Sequence, residues 1–232
     1  MLLTRHESHL EKAIKVSRLN PDVLLEWVEH PEYAEVARLY YAARCIESGR
    51  GCLAQRQLEV VIGMDHAAGT DDFCRDHPCV VTIDIMGIGL HVDVVRENAP
   101  LLLAGIYLAH KDWVRLDMLL PALDDPRLHT ALAAVSAFEQ GSYHDVVART
   151  ESVSATSCVA LDGLALVLRA CAFREWGDVI AAEGAMHDAY LAAWVHRDTP
   201  LYEMYEMELC RTLAIKHQIY GRSSNEWDAD EI

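Results

Sequence analysis

The sequence predicts a mostly α-helical protein built from antiparallel helical hairpins stacked in series, with one β-hairpin inserted near residues 79–95. Three observations carry that expectation. A helix-turn-helix pattern is written twice between Leu128 and Met186: Ala134 or Val167 on the first helix, Tyr143 or Trp176 at the turn, Val146 or Val179 on the second helix, then Val153 or Met186. The two registers lie 33 positions apart, Val146 to Val179, close to the repeat of ~34 residues of tetratricopeptide (TPR) proteins. Between Cys79 and Val95 the apolar period drops from that of a helix to that of a strand.

The same template fits Ala104, Trp113, Leu116 and Leu123, and more loosely Ala42, Ala54 and Val61, with Gly51 where the aromatic belongs. Small residues at the helix crossing let two helices approach closely, which is what a TPR-like solenoid requires. An irregular Ala-rich bundle is the alternative that this pattern leaves open. The domain expected is a single one over residues 1–220, followed by a polar, acidic, flexible tail at 221–232 in which Trp227 is the one aromatic.

The elements follow in order. Residues 4–19 place Leu10, Ala13, Ile14 and Val16 at helical spacing, with Thr4 and Glu7 at capping-box distance. Asn20-Pro21 stops that helix and opens another through Val28. His30-Pro31 punctuates again, ahead of a longer helix ending at Gly49 and another from Gly51 to Met64. The stretch "DHAAGTDDFCRDHP" reads as a loop.

Val81, Ile83 and Ile85 then alternate with Thr82 and Asp84, and beyond Gly87 and Gly89 the residues Leu90, Val92 and Val94 alternate with His91 and Asp93. That is the signature of a β-hairpin with a glycine-containing turn. Two strands alone are marginal in water, so the apolar face must rest on helices or on a partner. Helices resume after Asn98, with Asp124-Asp125 before Pro126 as a turn and helix cap. The last, at 200–220, carries a stripe of Leu201, Met204, Tyr205, Glu208 and Leu209.

Composition narrows the function classes. A formal charge of −16 argues against a nucleic-acid backbone as ligand. No apolar run approaches the ~18 residues of a membrane span, and the charged start has no secretory h-region. The seven cysteines are an odd number, and Cys45, Cys158, Cys171 and Cys210 sit on helical patterns among apolar neighbours, which fits reduced, buried thiols in a cytoplasmic protein. Phosphate loops, dinucleotide fingerprints, nucleophile elbows and HExxH are all missing from the sequence. The expectation is therefore no enzyme, no catalytic residue and no cofactor.

His66, Cys74, His77 and Cys79 are the one metal-like constellation, with Asp71, Asp72 or Asp76 as spare ligands. Their spacing matches no common structural zinc pattern, so no metal is expected and a polar insertion loop is the reading adopted. The twelve histidines are otherwise scattered, and only His91, alternating with Asp93, is placed for a local polar pair.

If the first helix of each pair lines a concave face, that face receives Leu39, Ala43 and Ile46, then Leu101, Gly105 and Leu108, then Leu128, Ala131, Val135 and Phe138, then Leu161, Leu164 and Leu168. An open groove so lined would be an apolar patch that soluble monomers avoid. Either the protein's own helices or hairpin fill it, or it takes an amphipathic helix from a partner. The candidate partner-binding residues are accordingly Leu101, Leu108, Val135, Phe138, Leu164 and Leu168, with His91 and Asp93 on the hairpin.

Over residues 31–220 the chain resembles the N-terminal TPR domain of EccA, the AAA+ ATPase of type VII secretion. The resemblance rests on "YAEVARLYYAARCIESGRG", "VTIDIMGIGLHVDVVRENAPLLLAG" and "FEQGSYHDVVARTESV". It departs at Leu39–Tyr41, where that family has Trp and Gly, and at Gly51, where it has an acid. It implies a cytoplasmic domain that binds secreted substrates or their helical signals. It does not reach the ATPase half, so no nucleotide-binding residue carries over. A TPR-like regulatory or oligomerisation domain unrelated to secretion is the alternative.

Overall fold

A computed structural model describes residues 3–64 and 70–226. Among them are eleven α-helices, three short 3-10 turns and one two-stranded sheet, a mostly helical protein with a small β-hairpin as expected. The chain divides into two compact units, Met1–Ile85 with Gly89–Ala122, and Met86–Ile88 with Leu123–Ile232.

In the first unit α1 (Leu3–Ser17) packs its Leu10 and Ile14 against a 3-10 turn at Pro21–Leu24 and against α2 (Ala34–Glu47). The helix expected from Pro21 to Val28 is replaced by that one short turn and a run of i→i+3 bonds, Leu25 N–H to the Asp22 carbonyl at 3.0 Å and Trp27 to Leu24 at 3.0 Å. The side chains of Thr4 and Glu7 lie outside the described residues, as do His66 and Trp227. Helix α2 pairs with α3 (Gly51–Gly63), and α5 (Ala99–Ala109) with α6 (Trp113–Leu119). The insertion expected to be all loop contains a short helix, α4 (Thr70–Asp76), held on α2.

Strands β1 (Val80–Ile85) and β2 (Ile88–Asp93) form the anticipated hairpin. Val81, Ile83, Ile85, Val92 and Val94 are buried, while Thr82, Asp84, His91 and Asp93 face solvent. Both turn residues have positive φ, Met86 at 52° and Gly87 at 88°, as in a type I′ turn, whose twist suits two strands. The buried face lies on α5 and α2. A Cβ on Gly105 would stand 2.8 Å from Ile83 Cγ2, so only glycine admits the strand there. Below the hairpin Arg96 reaches the buried Glu35 at 2.9 Å, tying the exit of β2 back to α2.

From Leu123 onward the described part of the second unit has helices as its only regular elements: α7 (Pro126–Glu139) pairs with α8 (Tyr143–Thr150), α9 (Ala160–Glu175) with α10 (Val179–Val195), and α11 (Pro200–Glu226) lies on both α9 and α10. Asp125 caps α7 through the N–H groups of Arg127 at 2.8 Å and Leu128 at 3.4 Å, as its position before Pro126 predicted. Helix α11 continues to Glu226, past the Tyr220 at which the sequence pattern fades.

The four pairs share one joint. Each first helix ends two residues before a left-handed residue, Gly49 (φ 72°), Lys111 (56°), Gly141 (73°) or Gly177 (88°), with one C-cap residue between. The next N–H then closes a Schellman bond, Arg50 to Cys45 at 2.7 Å, Asp112 to Tyr107 at 2.9 Å, Ser142 to Ala137 at 2.8 Å and Asp178 to Phe173 at 2.9 Å. Counted from that joint, the residue seven before is Ala42, Ala104, Ala134 or Ala170, and the residue five after is Ala54, Leu116, Val146 or Ala182. All eight are 0% exposed.

The last pair therefore sits 36 positions after the third, Gly141 to Gly177, not the 33 inferred from the aromatics. Trp113 and Tyr143 open α6 and α8, whereas Trp176 is the C-cap of α9. Val167 and Val179 are buried, but Ala170 and Ala182 hold the equivalent places.

Candidate partner-binding groove

The first-helix faces are filled by the protein itself. Val135, Leu164 and Leu168 are at most 1% exposed, and Leu101, Leu108 and Phe138 are half-buried. On α5 the cover is the β-hairpin, through Ile83 on Gly105. On α9 it is α11: a Cβ on Gly163 would lie 3.0 Å from Leu201 Cδ2. Further along the same contact, buried Glu208 accepts from Arg174, from Arg211 at 2.6 Å and from the Cys171 thiol at 3.4 Å. Burial, with the Glu208 carboxylate beside it, pushes Cys171 up to about 12.

The hairpin's polar face offers less chemistry. His91 and Asp93 are exposed, but the His91 ring meets Thr82 Oγ1 across the ladder at 3.0 Å instead of pairing with Asp93. The Asp93 carbonyl accepts from Asn98 Nδ2 at 2.9 Å. At the hairpin's foot a cavity of about 460 Å³ is lined by Cys74, Cys79, Pro78, Asp93 and Val95 among others. Both cysteines there are buried, and burial raises the Cys79 thiol, disfavouring the thiolate that would ligate a metal. His77 turns to Glu11 at 3.5 Å, and its carbonyl receives the Tyr40 hydroxyl. Among the described residues no three His, Cys, Asp or Glu side chains converge as a metal site.

A different surface of the second unit is open. Helices α8 and α10 form the walls, and α9 the floor, of a groove of about 620 Å³. One end is aromatic: Phe173 and Trp176 from α9 with His144 from α8, whose ring meets Trp176 edge-on at 5.6 Å. Trp176 is 54% exposed although it is the largest side chain present. The other end is charged. Arg169 gives one guanidinium N–H to the Thr150 carbonyl at 3.1 Å and another to Asp188 at 2.9 Å, beside the exposed Glu151. Between the ends Val147, Ala148, Ala181, Gly184 and Ala185 leave the walls low.

The wall formed by α10 continues outward as uncovered apolar surface. Ile180, Tyr190, Leu191, Trp194 and Val195 are each more than a third exposed. Tyr190 and Trp194 stack at 6.1 Å, Tyr202 of α11 meets Trp194 edge-on at 6.3 Å, and Arg197 lies 5.5 Å over the Trp194 ring. Sequence reasoning passed over this region because Trp176 was assigned to the turn. The missed signal was α10 itself, "VIAAEGAMHDAYLAAWV", a mostly apolar helix whose polar residues are Glu183, His187 and Asp188.

No family model, curated protein or solved structure matches the chain. No helix among the described residues is long and apolar enough to cross a membrane.

Proposed function

We propose that the chain is a protein–protein interaction module, a TPR-like series of helical hairpins that receives a partner's segment in the groove walled by α8 and α10. One observation carries this reading: the covered faces are those lined by the first helices, while the groove between two second helices keeps a solvent-facing Trp176 and Phe173 beside paired charges. Large aromatics left in an open, mostly apolar trough are what interface cores are built from. The repeated joint and its alanine-sized crossings support the TPR-like description. We propose no catalytic role.

The secretion setting rests on the likeness to the EccA N-terminal domain, and in that setting the partners are secreted type VII substrates met in the cytoplasm. A benzophenone side chain at Ala181, in the groove, tests both steps. Cross-linking to helical C-terminal tails of co-encoded proteins is the expected result, with none from a benzophenone at Ala133 in the core. A groove that captures other proteins but never those tails removes the secretion setting. A groove that captures nothing removes the module.

The uncovered side of α10 favours one competing reading, self-association through Ile180, Leu191 and Val195. Sedimentation velocity over a concentration series separates the two, because a concentration-independent monomer rules out pairing.

A further inference from the structure

The groove is polarised along its length, and that polarity names the ligand. Trp176 and Arg169 are seven residues apart on one helix, so the aromatic and charged ends stand roughly 10 Å apart at the rise of an α-helix. At the charged end Arg169 is only 13% exposed and is spent on the Thr150 carbonyl and Asp188. Asp188 remains 44% exposed despite that bond, and Glu151, the C-cap of α8, is exposed beside it. One buried cation against two accessible carboxylates leaves this end with a net negative charge. It belongs to a chain whose formal charge is −16.

Resting on the reading of this groove as the binding site, we infer that its ligand is a helical segment of a basic protein partner. A bulky apolar side chain of that helix seats on Trp176, Phe173 and His144, and a Lys or Arg two turns away sits against Glu151 and Asp188. Two turns of a ligand helix span about 11 Å, which matches the separation of the two ends. Helix-in-groove recognition uses anchors at such spacings. Gly184 on the α10 wall, where a Cβ would have nothing within 4 Å, leaves room for the ligand backbone to approach. Opposite charge across the contact selects the partner and accelerates encounter more than it adds affinity, so discrimination between peptides is the quantity to read.

The experiment uses the full chain and fluorescein-labelled, alanine-based helical peptides of about 18 residues carrying a Phe and, two turns later, either Lys or Glu. Fluorescence anisotropy at low salt is expected to show the Lys peptide binding at least about tenfold tighter than the Glu peptide, a gap that narrows as salt screens the end charges. Glu151→Lys, tolerated because a cation suits a helix C-terminus, is expected to erase or invert the preference. Trp176→Ala is expected to weaken both peptides. Equal binding of the two peptides, a preference for Glu, no binding by either, or an unchanged preference in Glu151→Lys overturns the inference. If the benzophenone at Ala181 still captures partner tails while the peptides fail to discriminate, the groove stands and only its charge selectivity falls.

Discussion

Helices α5 and α10 are the two most uniformly apolar in the protein, and the structure treats them in opposite ways. Helix α5 is enclosed by α3, α6, β1 and the turn that follows β2, with Ala99, Leu102, Leu103, Ala104, Ile106 and Tyr107 all buried. Helix α10 has α9 on one side and α11 on another, and its remaining surface keeps Ile180, Leu191 and Val195 in water. A helix that is apolar around most of its circumference needs neighbours on most sides to be stable. Where the fold supplies every neighbour, as around α5, such a helix is core; at α10 the described residues leave part of the apolar surface uncovered, and that uncovered part is what the proposed binding role rests on.

The largest expected effect comes from uncoupling α11. Glu208→Ala removes the buried partner of Arg174, 9% exposed, and leaves it only the more exposed Glu175 at 3.1 Å. Breaking a buried pair in this way costs about 3–5 kcal/mol, to be read from urea unfolding. Replacing both residues, Arg174→Met with Glu208→Leu, should recover most of that loss. If Glu208→Ala is silent, α11 is not the cover on α9 described above.

Next come the two helical glycines, which sharpen the contrast directly. Gly105→Val in α5 meets Ile83 at 2.8 Å and should cost about 1–3 kcal/mol by overpacking. Gly184→Ala in α10, with nothing within 4 Å, should instead stabilise the protein by about 0.5–1 kcal/mol through helix propensity. Opposite signs in thermal unfolding are the expected outcome. Smaller still is Leu191→Ser on the uncovered side of α10, expected within about 0.5 kcal/mol of the parent in stability while reducing partner capture.

The thiols divide along the same line of covered and uncovered. Cys45, Cys74, Cys79 and Cys171 are buried, whereas Cys52 is exposed and so, against the expectation from their apolar neighbours, are Cys158, which lies in the loop before α9, and Cys210, on the outer side of α11. A thiol-exchange reagent should titrate three quickly and four only on unfolding. Alkaline pH should loosen the fold for a related reason. Cys171 is raised to about 12 from an ordinary 9, and Tyr107 to about 12 from an ordinary 10, chiefly by burial. The folded state holds the neutral forms. Their contribution is complete below pH 9 and is lost between about pH 9 and 12, as the unfolded chain releases its protons first. Unfolding midpoints measured across that window check the sign.

Much of the fold was legible because local rules governed it. The alternation of Val81, Ile83 and Ile85 with Thr82 and Asp84 reports two faces with different solvents, and the structure buries and exposes them accordingly. Asp125 before Pro126 announces a capped helix, and it caps one. Legibility failed where a residue type has two uses. An aromatic beside a turn can open the second helix, as Tyr143 does, or close the first, as Trp176 does, and only the left-handed glycine that follows distinguishes them. The groove was hidden for that reason, and because covering of the first-helix faces by β1 and α11 is a long-range packing outcome. The 3-10 turn after Pro21 and the short α4 likewise depend on what they pack against more than on their own period.

The place Trp176 occupies, the last residue before a left-handed joint, is held by Ser48, His110 and Gln140 in the other three pairs. Four such different side chains at one geometric position show that the joint is indifferent to what stands there, since the backbone bonds close it regardless. Recognition anchored at such a site can be gained, lost or retargeted by point mutation while the scaffold keeps its stability, and an evolving lineage could change partners without revising its architecture.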